Sequence, residues 1–185
     1  MNFFSKSIFS LVLCGFAALL PMKAMSEPQK TGIVIMHGKV SSPTKPVSGL
    51  ASALERTGYL VANLEMPWSG NRDYDAGVGA AEEQVAAALA SLRSKGAQKF
   101  FVSGHSQGGV FALYFAGKHA VDGIICIAPG GSTGSKVFRE KLGASVTRAR
   151  QLVAEGKEND KTRLDDYEGK KGVYQIVTTP AVYLT

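Results

Sequence analysis

Lys99-Phe-Phe-Val-Ser-Gly-His-Ser-Gln-Gly-Gly109 is the stretch on which the reading of the chain turns. Its apolar start reads as a strand, and the apolar residues after Gln107 read as a buried helix. Between them stands Gly104-x-Ser106-x-Gly108. A serine on so sharp a strand-to-helix turn is held in a strained backbone conformation with its hydroxyl exposed above the sheet. Residues two positions away on either side must be small, or their side chains would strike the adjoining strand and helix. The helix that follows points its positive end at negative charge developing on an attacked carbonyl.

The chain carries its own control. Gly130-Gly-Ser132-Thr-Gly134 fits the same pattern and also follows an apolar run. Polar residues come next, and apolar periodicity resumes only at Val137. This second match reads as a flexible turn, with Ser135 as the N-cap of a following helix. Ser106 is therefore the expected nucleophile and Ser132 is not.

Working outward, short and nearly continuous apolar runs recur at 32–36, 59–66, 100–103, 123–128 and 181–184. They lack in-out alternation, which is how strands covered on both faces read. Helical stripes lie between them at 47–57, 78–95, 107–118 and 136–155. The second repeats Val78, Ala81, Val85, Leu89 and Leu92; the third is apolar almost all round; the fourth repeats Phe138, Leu142, Val146, Ala149 and Val153. This alternation predicts an α/β fold, a three-layer α/β/α arrangement on a mostly parallel sheet with right-handed crossovers. Residues 156–171 are polar and read as a surface excursion. Cys126, inside an apolar run, reads as a buried small hydrophobe rather than a nucleophile.

One further element is Ile33-Val-Ile-Met-His37-Gly38-Lys39, a strand ending in His-Gly. Strand, His-Gly, helix, strand, helix and then Gly-His-Ser-Gln-Gly-Gly resembles the α/β-hydrolase superfamily, from about Thr31 onward. The resemblance implies Ser106 as nucleophile, with an oxyanion hole made by the backbone N–H groups of Gln107 and Lys39. His37 in such a motif is a loop organiser more often than a catalyst. His37, Gly38, Trp68 and Tyr74 are the candidate substrate-binding residues. Trp68 and Tyr74 sit in Glu65-Met-Pro-Trp-Ser-Gly-Asn-Arg-Asp-Tyr74, where many members carry Asp-x-x-Gly-x-Gly. They either line a substrate mouth at the C-terminal edge of the sheet or serve ordinary loop packing.

A serine hydroxyl needs a histidine to take its proton, and that histidine needs an acid to fix its tautomer. In this fold the order is Ser, then Asp or Glu, then His. The chain has 3 histidines. His105 adjoins the serine, so its side chain is expected to point elsewhere; His119 closes the following helix; His37 precedes both. Family acids sit just after a strand that is matched here to 179–185, where the sequence stops, and Asp160, Asp165 and Asp166 lie before it. Two expectations follow: an incomplete product of a longer gene, or a degenerate noncatalytic relative. The 185-residue chain by itself is expected not to turn over esters, and an apolar last strand would leave it poorly stable.

Composition limits the alternatives. Of 185 residues 45% are hydrophobic and 19% charged, enough for a core and unlike a disordered chain. The formal charge of +6 is spread among 15 acids, so neither nucleic-acid nor basic surface binding is expected. No His/Cys/Asp cluster has metal-ligand spacing and no Gly-rich loop sits where a phosphate would bind, so no metal or cofactor is expected. Residues 1–26 read as a secretion signal: Lys6, a short apolar run over 8–20, and Ala24-Met25-Ser26 as the cleavage site. A buried N-terminal helix and a lipid anchor at Cys14 are the weighed alternatives. Residues 27–185 then form one exported hydrolase domain, periplasmic or secreted, without a stable membrane anchor, acting on a small acyl substrate. Cys126 is its only cysteine, so no intramolecular disulfide supports it. Substrate identity and oligomeric state are not legible.

Overall fold

The computed structural model describes residues 30–169 and 171–185; the stretch expected to be a secretion signal, Cys14 included, lies outside them. Four strands form one parallel sheet: β1 (Thr31–Met36), β2 (Leu60–Leu64), β3 (Lys99–His105) and β4 (Gly123–Ile127). Their order is β2-β1-β3-β4, with Val34 beside both Ala62 and Val102 in register. Four helices alternate with them: α1 (Ser48–Arg56), α2 (Val78–Ser94), α3 (Gln107–Ala116) and α4 (Lys136–Ala154).

The central strand sorts its side chains by parity. Val34 and Met36 pack into one apolar cluster with Val85, Leu89 and Leu92 of α2 and Phe111 and Phe115 of α3. Ile33 and Ile35 point to the other face, against Val47 and Ala51. Each such burial stabilises the fold by about 1.5–3 kcal/mol. This fixes the strand's register, because a slip of one residue would exchange the two faces.

The expected coverage holds at the centre of the sheet and fails at its edges. β1 is buried along its length, whereas β2 is half-buried. Among the described residues β4 pairs only with β3, and its Ile124, Ile125 and Ile127 are exposed. Cys126 is exposed with them, contrary to the buried position its apolar neighbours suggested. α3 is also less enclosed than expected: Leu113 and Tyr114 reach the surface, where the Tyr114 hydroxyl donates to Glu82 at 3.1 Å.

Two segments differ from the sequence reading. Residues assigned to a polar excursion form β5 (Thr162–Glu168), which pairs antiparallel with β6 (Gly172–Thr178). Charge hid the alternation: Leu164 and Asp166 turn inward, as do Tyr174, Ile176 and Thr178, while Arg163 and Val177 face out. The tail read as a strand is a short helix, α5 (Pro180–Tyr183). Thr179 caps it by accepting from the Val182 N–H, and Pro180 at the first helical position has the φ a helix needs. The expected apolar strand at 181–184 is thus absent, and the match of a triad acid to a position just after it loses its basis. Together α4, α5 and the hairpin pack on one another.

Candidate functional site

In a parallel sheet, the chain leaves β1 toward one side for β2 and returns to the other side for β3. Ligands bind at the C-terminal ends of strands where the direction of winding reverses. Here that point lies between the ends of β1 and β3, where His37-Gly38-Lys39 and His105-Ser106-Gln107 emerge.

Ser106 has φ 53° and ψ −116°, a region that side chains other than glycine rarely occupy. Its surroundings hold it there. The Ser106 N–H donates to the Ile127 carbonyl at 3.0 Å, and the Ser106 carbonyl accepts from Gly109, Val110 and Gly130 at 3.0–3.1 Å. Both flanking glycines are obligatory. A Cβ on Gly104 would lie 2.1 Å from the Gly108 backbone, and one on Gly108 would lie 2.4 Å from the Met36 carbonyl oxygen. The turn is therefore clamped between β1, β3 and α3.

The loop after β1 is built as tightly. Val40 adopts φ 50°, its N–H donates to the Trp68 carbonyl at 2.9 Å, and Gly70 donates to Ser41 at 3.0 Å. His37 is fully buried, and both ring nitrogens are used. Nε2 accepts from the Met66 N–H at 3.1 Å, so the proton sits on Nδ1 and goes to the Gly38 carbonyl at 2.8 Å. Burial is the largest influence on this imidazole and holds its pKa below the ordinary value, against the opposing pull of the Gly38 carbonyl and the Glu65 charge. Its carbonyl accepts the Trp68 indole N–H at 2.8 Å. His37 lines neither of the spaces described below; it organises the loop. Gly38 lies so close to the serine that a Cβ on it would meet the Ser106 Cβ at 3.1 Å.

Two spaces open at this edge. The smaller, of about 220 Å³, is lined by Gly38, Lys39, Ser41, His105, Ser106 and Glu168. The ring of His105 thus shares a space with the serine rather than pointing away, although the two form no hydrogen bond. The larger, of about 620 Å³, is mostly apolar; Trp68, Tyr74, Phe111, Phe138, Val146 and Ile176 are among its walls. Gln107 and Lys39 also reach it. The apolar stripe of α4 faces this cavity through Phe138, Leu142 and Val146.

Sequence reading passed over Asp166. It is buried on β5 and accepts from Lys39 Nζ at 2.6 and 2.7 Å, from the Tyr74 and Tyr174 hydroxyls at 3.0 and 2.8 Å, and from the Tyr167 N–H at 2.7 Å. Burial first, and then the Asp166 charge, push both tyrosine hydroxyls well above their usual range and keep them protonated donors. Inward alternation of Leu164 and Asp166 opposite Tyr174 and Ile176 was the signal that could have found it. His119 lies apart from the site: it stacks on Phe115 and bonds to Glu82 at 2.6 Å. Ser132 lies on an exposed loop, accepting from the Gly134 N–H at 3.2 Å.

Neither a family model nor a curated protein matches the sequence. Solved structures do. A metagenome-derived lipolytic enzyme aligns over 62% of this chain and 48% of its own length, with 23% identity and a TM-score of 0.52. The monoacylglycerol lipase of Paleococcus ferrophilus aligns over 84% and 65%, with 17% identity and a TM-score of 0.54. An α/β hydrolase from a Penicillium species aligns over 85% and 55%, with 17% identity and a TM-score of 0.53. The chain spans about half to two thirds of the length of these three structures. What is common to them at such identities is the architecture, and the chain carries the α/β-hydrolase fold.

Proposed function

We propose that the chain carries the nucleophile of a serine hydrolase that cleaves an ester or related acyl bond. The observation that carries this reading is Ser106 at φ 53°, clamped between two glycines that no larger residue could replace. Strain of this kind persists only where the surroundings over-determine it, and it clusters at catalytic turns. In the proposed step Ser106 Oγ attacks the acyl carbonyl while its proton passes to solvent water, and the N–H groups of Gln107 and Lys39 donate to the resulting oxyanion. Collapse of that oxyanion breaks the bond to the alcohol, which leaves with a proton from water, and the acyl group stays on Oγ until water hydrolyses it. Such donors are fixed before charge appears, which is why they are effective. Neither N–H donates to another backbone group in the loops and turns described.

Among the described residues no histidine hydrogen-bonds to the Ser106 hydroxyl. His37 is committed to Met66 and Gly38, His119 to Glu82, and His105 shares the pocket without bonding to the serine. That observation favours a second reading, a noncatalytic binding protein that retains the fold. Reaction with an activated fluorophosphonate separates the two, because stoichiometric capture needs a nucleophile and an oxyanion hole but no turnover. The expected result is a single adduct on the Ser106 peptide, absent in Ser106→Ala and retained in Ser132→Ala. No adduct at Ser106 under prolonged exposure would establish the noncatalytic reading instead.

A further inference from the structure

Lys39 is the wall common to the two spaces: it lines both the small pocket that holds Ser106 and the large apolar cavity that Ser106 does not reach. Its ammonium is held by the Asp166 carboxylate and by the Tyr167 carbonyl at 3.2 Å, and it lies 5.9 Å from the centre of the Phe138 ring. We propose that the Lys39–Asp166 ion pair is a gate between the Ser106 pocket and the apolar cavity, opened to admit an aliphatic acyl chain. Asp166 is then a positioning residue that sets how much apolar chain can lie beside the serine. This rests on the reading of Ser106 as nucleophile.

The bonding of Asp166 shows why it holds a gate and has no capacity for another task. A carboxylate has about four lone-pair sites, and here they meet one ammonium, two tyrosine hydroxyls and one backbone N–H. These donors belong to the loop after β1, the loop after β2, and both strands of the hairpin. Besides Asp166, a Thr178 hydroxyl bond to the Tyr74 carbonyl at 2.9 Å joins the hairpin to the loop after β2. Release of the carboxylate therefore withdraws the Lys39 wall and loosens the hairpin from the two loops, leaving the Thr178–Tyr74 bond to tether it. Burying an ion pair stabilises a fold little or not at all, since desolvation offsets the Coulomb gain; a switch or register role is the better-supported use.

The chain's one tryptophan, Trp68, is buried in the cavity wall and reports on access to it without reference to the chemistry of Ser106. In Asp166→Asn and in Lys39→Met, acrylamide should quench Trp68 several-fold more strongly than in the parent chain. Binding of 1-decanol, followed by the same fluorescence, should tighten about tenfold, because the closed fraction no longer competes. Ser106→Ala should change neither. Quenching and decanol affinity equal to the parent's in both folded variants would overturn the gate. If either variant fails to fold, hydrogen exchange on the parent decides. Hairpin amides should then exchange as one unit at least about tenfold faster than those of β1 and β3, and equal protection would overturn the proposal. Because none of these readings uses acyl transfer, a failed gate and a failed nucleophile are told apart.

Discussion

Two turns of this chain match one five-residue pattern and share almost nothing else. At 104–108 the serine is half-buried at positive φ, and both glycines face backbone atoms at distances no Cβ could tolerate. At 130–134 the residues are exposed, Ser132 is not among the residues at positive φ, and a Cβ on Gly130 or Gly134 would meet nothing nearer than 3.6 Å. In the first turn glycine is demanded by two strands and a helix converging on one point. In the second it is merely permitted. A motif thus acquires chemical meaning from the elements that squeeze it.

The largest expected effect breaks this comparison directly. Gly104→Ala and Gly108→Ala should each destabilise the chain by about 3 kcal/mol or more in urea unfolding, since the obstructing atoms are backbone and cannot turn aside. Gly130→Ala and Gly134→Ala should stay within about 0.5 kcal/mol of the parent, as surface changes do. Similar losses at all four positions would mean that both turns are equally constrained.

A smaller effect measures the strain itself. Ser106→Gly removes the side chain from a backbone region that costs about 1–3 kcal/mol for a residue other than glycine. Part of that gain is offset by the greater freedom of glycine in the unfolded chain. The expected net is a stabilisation of about 1 kcal/mol, alongside loss of the nucleophile, whereas Ser132→Gly should be neutral or slightly destabilising. A destabilised Ser106→Gly would show that the hydroxyl contributes more to folding than its backbone conformation costs.

Much of this architecture was legible in the sequence, and the misses have physical causes. β1, α2 and the Ser106 turn were readable because burial at the centre of a sheet imposes long, consistent patterns on local sequence. The exposure of β4 and of Cys126 was not, because an edge is a property of the sheet's order and Ile124 looks the same in either place. In the β5–β6 hairpin, inward Asp166 and Thr178 replace the apolar residues that alternation is usually recognised by. The tail was misread although Thr179-Pro180 is a helix start, since the β-branched and aromatic residues after it drew the reading toward a strand. Of the site, the serine and its glycines were visible in one segment. Asp166, Tyr174 and the α4 side of the cavity were not, since they meet the loop after β1 only at Lys39, across more than a hundred residues of chain.

The smallest effect expected concerns what lies beneath the first turn and has no counterpart beneath the second. Gly108 packs on the carbonyls of Met36 and His37, so the strained serine stands on a loop that neutral His37 holds together. Burial lowers the pKa of this histidine in the folded chain, while the unfolded chain titrates near 6.5. Between the two values the unfolded state binds more protons, so stability rises with pH there. Read the other way, stability is complete above about pH 6.5 and declines as pH falls toward the folded value. Protonation would also place a second N–H against the Met66 N–H and remove an acceptor from a buried donor. Unfolding by urea at a series of pH values from neutral to mildly acidic should show this slope. His37→Gln, whose amide oxygen can accept from Met66 and does not titrate, should lower stability at neutral pH and flatten that part of the profile. In hydrogen exchange the acid-induced loosening should appear at the amides of 104–110 and at Gly130, whose N–H is bonded to the Ser106 carbonyl, and leave those of 131–135 as they were. An unchanged slope in His37→Gln would assign the acid sensitivity to other groups and detach the loop's protonation from the serine turn.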